Sequence, residues 1–404
     1  MATIPMDIVD DLFLRLPATA LVRFRLLSKP CFSLIEKPDF VASHLKRTLE
    51  TGDNLMILLR GPRGLRTFYL ESPDKVSDVE HPLQTGGSTE VFGSCNGLVG
   101  LVNSPVEIAL FNPSTRKIFR LPFECVDFPE STITPEHVFY GLGYDSVNDD
   151  YKVVRMAQSK RDPTKSRFRF PLEIKVFSLK RNSWKEIYLR MDVQVLFVMF
   201  YYHLLYRRGN AVLASNCLHW VLPRGRGIAF NAIVSFDLAA DDLGITTFPM
   251  KLRSKDNLDI GVLDGLLCLM CYELSHVDIW VCTEYKGYDS YAWTKQFKVP
   301  KPEDVESFEH LRPLMYSKDK TKILMEINNA KNLMWFDLES ETFTKVGIKD
   351  CDIPYSAEIL VSSLVLGCNG DLPKKEARAG GDKVTQKGNK KGGGFLSKGF
   401  KLKL

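Results

Sequence analysis

The sequence predicts a mainly β protein: a small α-helical module, a kelch-like, propeller-like body, and a disordered basic tail. Three observations predict it. Apolar residues recur every three or four positions through roughly the first fifty residues and then lose that period. From Gly52 onward, short apolar or aromatic runs alternate with Gly, Asn, Asp and Pro turns. From Pro373 on, ten Lys or Arg stand against two acidic residues among many glycines. The boundaries expected are 1–48, 49–370 and 371–404.

Composition narrows the class. With 404 residues, 45% hydrophobic and 25% charged, the chain resembles ordinary globular proteins and can bury a large core without disulfides or metals. No apolar stretch reaches the ~18 residues of a membrane span; Val195–Tyr202 reads as a buried strand. Met1–Asp7 lacks the charged and apolar regions of a secretory signal. Nine cysteines, an odd number, argue for free thiols in a reducing compartment. A soluble intracellular protein is expected. The tail carries more than the whole net charge of +5, so the folded part is slightly acidic and is no nucleic-acid platform. Phe395–Leu404 alternates apolar and basic residues, a pattern of a solvated tail or of a dock for an acidic surface.

In the first element Ile8, Leu12 and Leu16 recur every four residues, flanked by Val9 and Phe13, and form one helical stripe. Asp7, Asp10 and Asp11 suit its N-terminal turns. Pro17 ends it and can open a second helix, where Leu21, Phe24 and Leu27 recur every three. Pro30 and Pro38 punctuate two further helical segments, the last through Phe40, Val41 and Leu45. A module this small cannot bury all its stripes internally.

The body repeats a strand in which an aromatic residue is followed by a small polar group. The central aromatics Phe111, Phe177, Phe236, Trp280 and Phe336 lie 66, 59, 44 and 56 residues apart. Most follow a turn and an apolar strand, as in Asn96–Leu101, Asn216–Trp220, Asp264–Leu269 and Lys320–Met325. Several are followed by a further aromatic, such as Trp184, Trp293 and Phe343. That rhythm fits the blades of a kelch-type propeller, with the aromatics as blade core. An irregular β-sandwich is the alternative.

These residues resemble a family. Ile4–Pro17, then Leu21–Arg25, Ser28, Lys29, Leu34 and Ile35, look like an F-box. Gly93–Leu98, Asn112–Arg116, Gly141–Asp145, Asp150–Arg155 and Leu218–Trp220 are similar to the plant F-box-associated interaction domain. The resemblance spans about residues 1–370. Cys31 stands where an F-box usually has Trp, Thr19 where Lys is frequent, and Pro30 is unusual inside a third helix.

The resemblance implies a non-catalytic substrate receptor. Its F-box would dock on a Skp-type adaptor (the plant ASK family) held by a cullin, while the body captures a protein for ubiquitination. Pro5, Ile8, Val9, Leu12, Phe13, Leu16 and Pro17, with Leu21 and Phe24, would then anchor the adaptor by a helix-in-groove contact. The resemblance also points to defence signalling, with nucleotide-binding leucine-rich-repeat immune receptors as targets. An adaptor-binding scaffold without substrate delivery and a propeller hydrolase are the alternatives.

The residues themselves call for no cofactor or metal. Cys268-Leu-Met-Cys271 has zinc-like spacing without a second pair and sits in an apolar strand, so buried thiols are expected. His219 reads as structural, and Asp149-Asp150 as turn residues. Arg60-Gly-Pro-Arg-Gly64 and Arg224-Gly-Arg226 read as solvated basic loops, or as contacts to an acidic partner. No P-loop, dinucleotide fingerprint or nucleophile elbow appears.

Overall fold

The computed structural model describes residues 5–366 except 63, 82, 84–88, 105–106, 127–134, 160–171, 189–209, 223–231, 249–257, 286–290, 304, 306–309, 329–331 and 349–355. The strand expected at 195–202, the basic loop at 224–226 and the tail lie outside the described residues.

Four helices open the chain: α1 (Met6–Leu14), α2 (Ala18–Phe24), α3 (Lys29–Ile35) and α4 (Pro38–Thr51). Pro30, unexpected within a helix, occupies the first turn of α3, where its missing N–H has no helical partner to lose. Ser28 caps that helix, its Oγ accepting from Cys31 N at 3.3 Å. Cys31 itself is half-buried against the module core. Helix α4 runs three residues past the expected boundary and stops at Gly52, whose φ of 62° supplies the left-handed cap.

Every strand of the body pairs antiparallel with its neighbours. The first blade takes β1 (Leu55–Gly61), β2 (Gly64–Tyr69) and β3 (Ser77–Val79). The second is β4 (Glu90–Cys95), β5 (Leu98–Ser104), β6 (Glu107–Asn112) and β7 (Lys117–Arg120). The third is β8 (Pro135–Asp145), β9 (Asp150–Ser159), β10 (Leu172–Ser178) and β11 (Ser183–Glu186). The fourth is β12 (Val212–Ala214), β13 (Cys217–Leu222), β14 (Ala232–Asp237) and β15 (Asp242–Thr247). The fifth is β16 (Leu258–Leu263), β17 (Leu266–Tyr272), β18 (His276–Tyr285) and β19 (Tyr291–Pro300). The sixth is β20 (Leu311–Tyr316), β21 (Lys322–Ile327), β22 (Asn332–Asp337) and β23 (Phe343–Lys345). The last strand, β24 (Ser356–Val361), returns to pair with β1 and completes the first blade as β24-β1-β2-β3. Innermost strands touch in the cycle β24, β4, β8, β12, β16, β20 and back to β24. The body is a closed six-bladed propeller.

Its cores lie between blades. Phe92, Leu98 and Leu110 of the second blade meet Tyr140, Leu142 and Phe177 of the third, and five further clusters repeat this around the ring. Both faces of a middle strand are therefore buried, which explains unbroken apolar runs such as Leu266–Tyr272. Gly141 and Gly143 of β8 make room for this packing: a Cβ on them would stand 2.7 Å from Leu218 Cδ1 and 2.5 Å from Leu238 Cδ1.

The repeated aromatic has a fixed place. Phe111, Phe177, Phe236 and Phe336 end the third strand of their blades, are 0–2% exposed, and each faces the core shared with the preceding blade. The polar residue that follows closes the turn to the fourth strand. Asn112, Asp237 and Asp337 each accept from the amides two and three positions on, as Asx-turns do. Ser178 Oγ accepts from Arg181 N at 3.0 Å. Five residues after each aromatic, Arg116, Asn182, Asp241 and Glu341 adopt φ between 50° and 57°. Trp280 departs from this pattern: it faces the core with the fourth blade but is only partly buried, and β18 continues past it to Tyr285. The first blade has its own counterpart, Phe68 on β2, which the repeat had not revealed.

Candidate adaptor-docking site

Helical periodicity identifies the apolar residues of α1 and α2; burial decides which of them remain available. Ile8 and Leu12, one turn apart on α1, are 52% and 51% exposed. Pro5, immediately before α1, is exposed, while Val9, Leu16, Pro17 and Phe24 are half-buried. Phe13 and Leu21 point inward and pack with Ala18, Leu34, Ile35 and Phe40. Those two form the floor beneath the stripe, because a four-helix module needs its largest apolar groups to hold α1 on α2. Phe13 and Phe24 meet with ring centroids 5.6 Å apart.

Four exposed large apolar residues of the module fall outside the expected adaptor anchors: Leu26, Leu27, Phe32 and, on α4, Leu49, which is 52% exposed. Leu26 and Leu27, in the turn between α2 and α3, are 89% and 69% exposed. Phe32 of α3 lies beneath the Arg25 guanidinium, 5.4 Å from its ring centroid. Together with Ile8 and Leu12, these are apolar side chains that a folded module leaves in water. His44 steadies the frame from within: its Nε2 lies 2.8 Å from the Leu16 carbonyl, and burial holds its pKa below the ordinary value.

The propeller encloses a central channel of about 1140 Å³. Thr48 to Gly52, the last turn of α4 and its cap, contribute to its lining together with Leu55. Its wall is ionic but paired. Arg312 sits 2.8 Å from Glu326 and 3.1 Å from Glu358. Burial works against that charge, yet the two carboxylates keep the guanidinium protonated, above its ordinary pKa. Arg60 is not a solvated loop residue: its Nε donates to the Thr89 carbonyl at 3.1 Å and its Nη2 stands 3.7 Å from Glu90.

The other candidate groups are structural. Cys268 and Cys271 are fully buried on opposite faces of β17, in different inter-blade cores, so they cannot ligate one ion together. Burial pushes the Cys268 thiol up to about 12, away from the reactive thiolate. His219 is buried with Nδ1 2.8 Å from Ser235 Oγ and Nε2 3.2 Å from the Ala214 carbonyl. Asp150 Oδ1 accepts from Lys180 N at 2.8 Å, and Asp149 Oδ1 accepts from Tyr144 OH at 2.6 Å. Among the described residues no group of three or more His, Cys, Asp or Glu is placed to hold a metal ion, and no helix is long and apolar enough to cross a membrane.

A helical module with an uncovered apolar stripe is followed by a closed propeller that carries paired charges and buried thiols in its interior. The profile of the F-box associated beta propeller domain matches residues 54–359, and the chain belongs to that family. It is 62% identical over 406 residues, covering 100% of both chains, to F-box protein At4g22390 of Arabidopsis thaliana. It is 58% identical over 417 residues, again 100% of both, to F-box protein CPR1 of the same plant. F-box/kelch-repeat protein At3g23880, also from Arabidopsis thaliana, is 25% identical over 81% of this chain and 86% of its own length.

Proposed function

We propose that the chain is the substrate-recognition subunit of a Skp–cullin–F-box ubiquitin ligase. In this reading the helical module docks on a Skp-type adaptor of the plant ASK family, which a cullin holds. The propeller captures the protein to be ubiquitinated and sent for degradation. One observation carries the reading: Ile8 and Leu12 stay half-exposed on one face of α1 while the rest of the stripe is packed beneath them. Paired apolar anchors one helical turn apart suit a groove on a partner. Joining two binding surfaces on one chain raises the concentration of the captured protein near the ligase.

The resemblance to the defence regulator called constitutive expresser of pathogenesis-related genes supports a finer reading. The chain would restrain plant defence, in cytoplasm and nucleus, with nucleotide-binding leucine-rich-repeat immune receptors as its targets.

The test uses the exposed pair. The double variant Ile8→Asp, Leu12→Asp places carboxylates where water already reaches, so the fold should survive, while burial against an adaptor would desolvate them. Adaptor affinity should fall at least about a hundredfold, the scale of losing two interface anchors, and target abundance should rise as its ubiquitin conjugates vanish. Unchanged affinity in the folded variant would reject the docking assignment.

A further inference from the structure

Met6–Thr51 is too short to close a core of its own, and what it lacks arrives from the other end of the chain. After β24, the backbone continues as a strap in which Ser362 and Ser363 are fully buried and Leu364 is 3% exposed. Leu364 joins Phe13, Ala18, Leu21, Leu34, Ile35 and Phe40 in the core of the module. Ser362 Oγ accepts a hydrogen bond from Ala18 N at 3.1 Å, across 344 residues of sequence. Helix α2 begins after Pro17, which offers no side-chain cap, so Ser362 takes one of the orphan N–H groups.

The strap is gripped equally firmly on its propeller side. Asn112 Nδ2 donates to the carbonyls of Ser363 at 3.0 Å and Val365 at 2.7 Å. Gly97, at φ 83°, lets the β4–β5 hairpin come so close that a Cβ there would stand 2.3 Å from Ser363 Oγ. The segment is thus wedged between the second blade and α2. Leu364 and Ser362 both reach the module, and Leu364 belongs to its core and not to an inter-blade one.

We infer that this strap is a working part of the adaptor-docking site. Ser362 and Leu364 are positioning residues: they hold α1 and α2 in the arrangement that presents Ile8 and Leu12. The inference rests on the docking reading above. Its consequence is a dependence of adaptor binding on ring closure. The strap is placed only when β24 has paired with β1, so the first-made part of the chain is completed by nearly the last. A chain that fails to close its propeller presents the apolar stripe on an unfinished core. Apparent affinity then falls in proportion to the docking-competent fraction, which keeps incomplete receptors out of the ligase.

The experiment uses the full chain with Leu364→Ala, Ser362→Ala and Leu364→Met. Two quantities are read: affinity for the purified Skp-type adaptor, and amide hydrogen exchange in Met6–Ile35 and in Leu266–Tyr272 of the fifth blade. Leu364→Ala should weaken adaptor binding about tenfold and speed exchange in α1–α3 by a similar factor, through the cavity it leaves. Ser362→Ala should weaken binding about threefold, the scale of a lost cap. Leu364→Met, which conserves volume, should stay within about twofold of wild type. Exchange in the fifth blade should not change in any variant. Wild-type affinity and exchange in Leu364→Ala would overturn the inference, and so would equal loss of protection in the fifth blade, since Leu364 would then serve general stability alone. A wild-type chain that ignores the adaptor would instead overturn the docking reading, while the exchange measurement would still decide whether the strap completes the module.

Discussion

The propeller and the helical module bury their apolar residues by opposite rules. Each propeller core is shared by two adjacent blades, and a single long-range pairing, β24 with β1, closes the ring. The module has one core, and part of it is supplied by Leu364. Thr19, which stands where F-boxes often have Lys, adds a second tie: its Oγ1 lies 2.8 Å from Tyr69 OH of the first blade. The difference teaches a direction of dependence. The propeller can stand without the module, whereas the module leans on the propeller.

The strongest test of that asymmetry removes the module. A chain beginning at Asn54 keeps every strand that closes the ring and should fold, bind its target and show no adaptor binding at all. The cut belongs there and not after residue 48, which would leave Leu49–Thr51 as a remnant of α4. Exposure of Leu364 should cost about 1.5–3 kcal/mol. Overproduced, this fragment should compete with the full chain and raise target levels. Thermal unfolding, adaptor capture and target abundance measure the three parts. Loss of cooperative unfolding would show that dependence runs both ways.

Within the propeller, the repeat itself ranks the next effects. Phe336→Ala should destabilise by about 3–5 kcal/mol, because the ring is 1% exposed in a core between blades. Trp280→Ala should cost less, since Trp280 is only partly buried in its core with the fourth blade. Denaturant titration compares the two; equal losses would mean that the departure of the fifth blade is superficial.

Acid should act on both regions through buried neutral histidines. Burial lowers the His219 pKa to about 4, against a weaker opposing effect of the Ala214 carbonyl. The unfolded chain takes up this proton near 6.5, the folded chain only near 4. Stability from this site is therefore complete above about pH 6.5 and is lost as pH falls toward 4, by about 3 kcal/mol in all. Unfolding free energies at pH 7 and 5 should differ less in His219→Gln. The slope should flatten but persist, because burial also lowers His44 in the module and His81 in the propeller. An unchanged slope would remove His219 from the account.

Much of this architecture was legible in the sequence, and the gaps have physical causes. Phe111, Phe177, Phe236 and Phe336 could be read because core aromatic, turn acceptor and left-handed residue all fall within six consecutive positions. Phe68 could not, because its blade takes one strand from the far end of the chain. The repeat places Trp280 on the third strand of its blade, but nothing local shows that β18 runs on past it. In the module, periodicity groups Ile8, Leu12, Phe13 and Leu21 as apolar without saying which face water. That is settled by tertiary packing, as is the role of Ser362 and Leu364, whose sequence neighbourhood has no helical period at all. Leu26 and Phe32 escape the periodicity because a turn and a short helix give too few residues to define a face.

The smallest effect probes why the repeat tolerates different polar residues. Asp237 Oδ1 accepts from Ala239 N at 2.8 Å and Ala240 N at 3.0 Å. Asn112 makes the same two bonds in the second blade with a neutral amide oxygen, while Ser178 in the third reaches one amide, that of Arg181. If the turn needs an acceptor and not a charge, Asp237→Asn should be nearly neutral. Asp237→Ser should then cost a few tenths of a kcal/mol and Asp237→Ala about 1 kcal/mol, the scale of losing a side-chain cap on orphan amides. Raising the salt concentration should leave this order unchanged, because the interaction is directional and short-ranged. Urea midpoints at constant slope measure the series. Should Asp237→Asn cost as much as Asp237→Ala, the carboxylate charge would be what holds the turn. The shared chemistry of the blades would then be electrostatic in the fourth blade and geometric in the second.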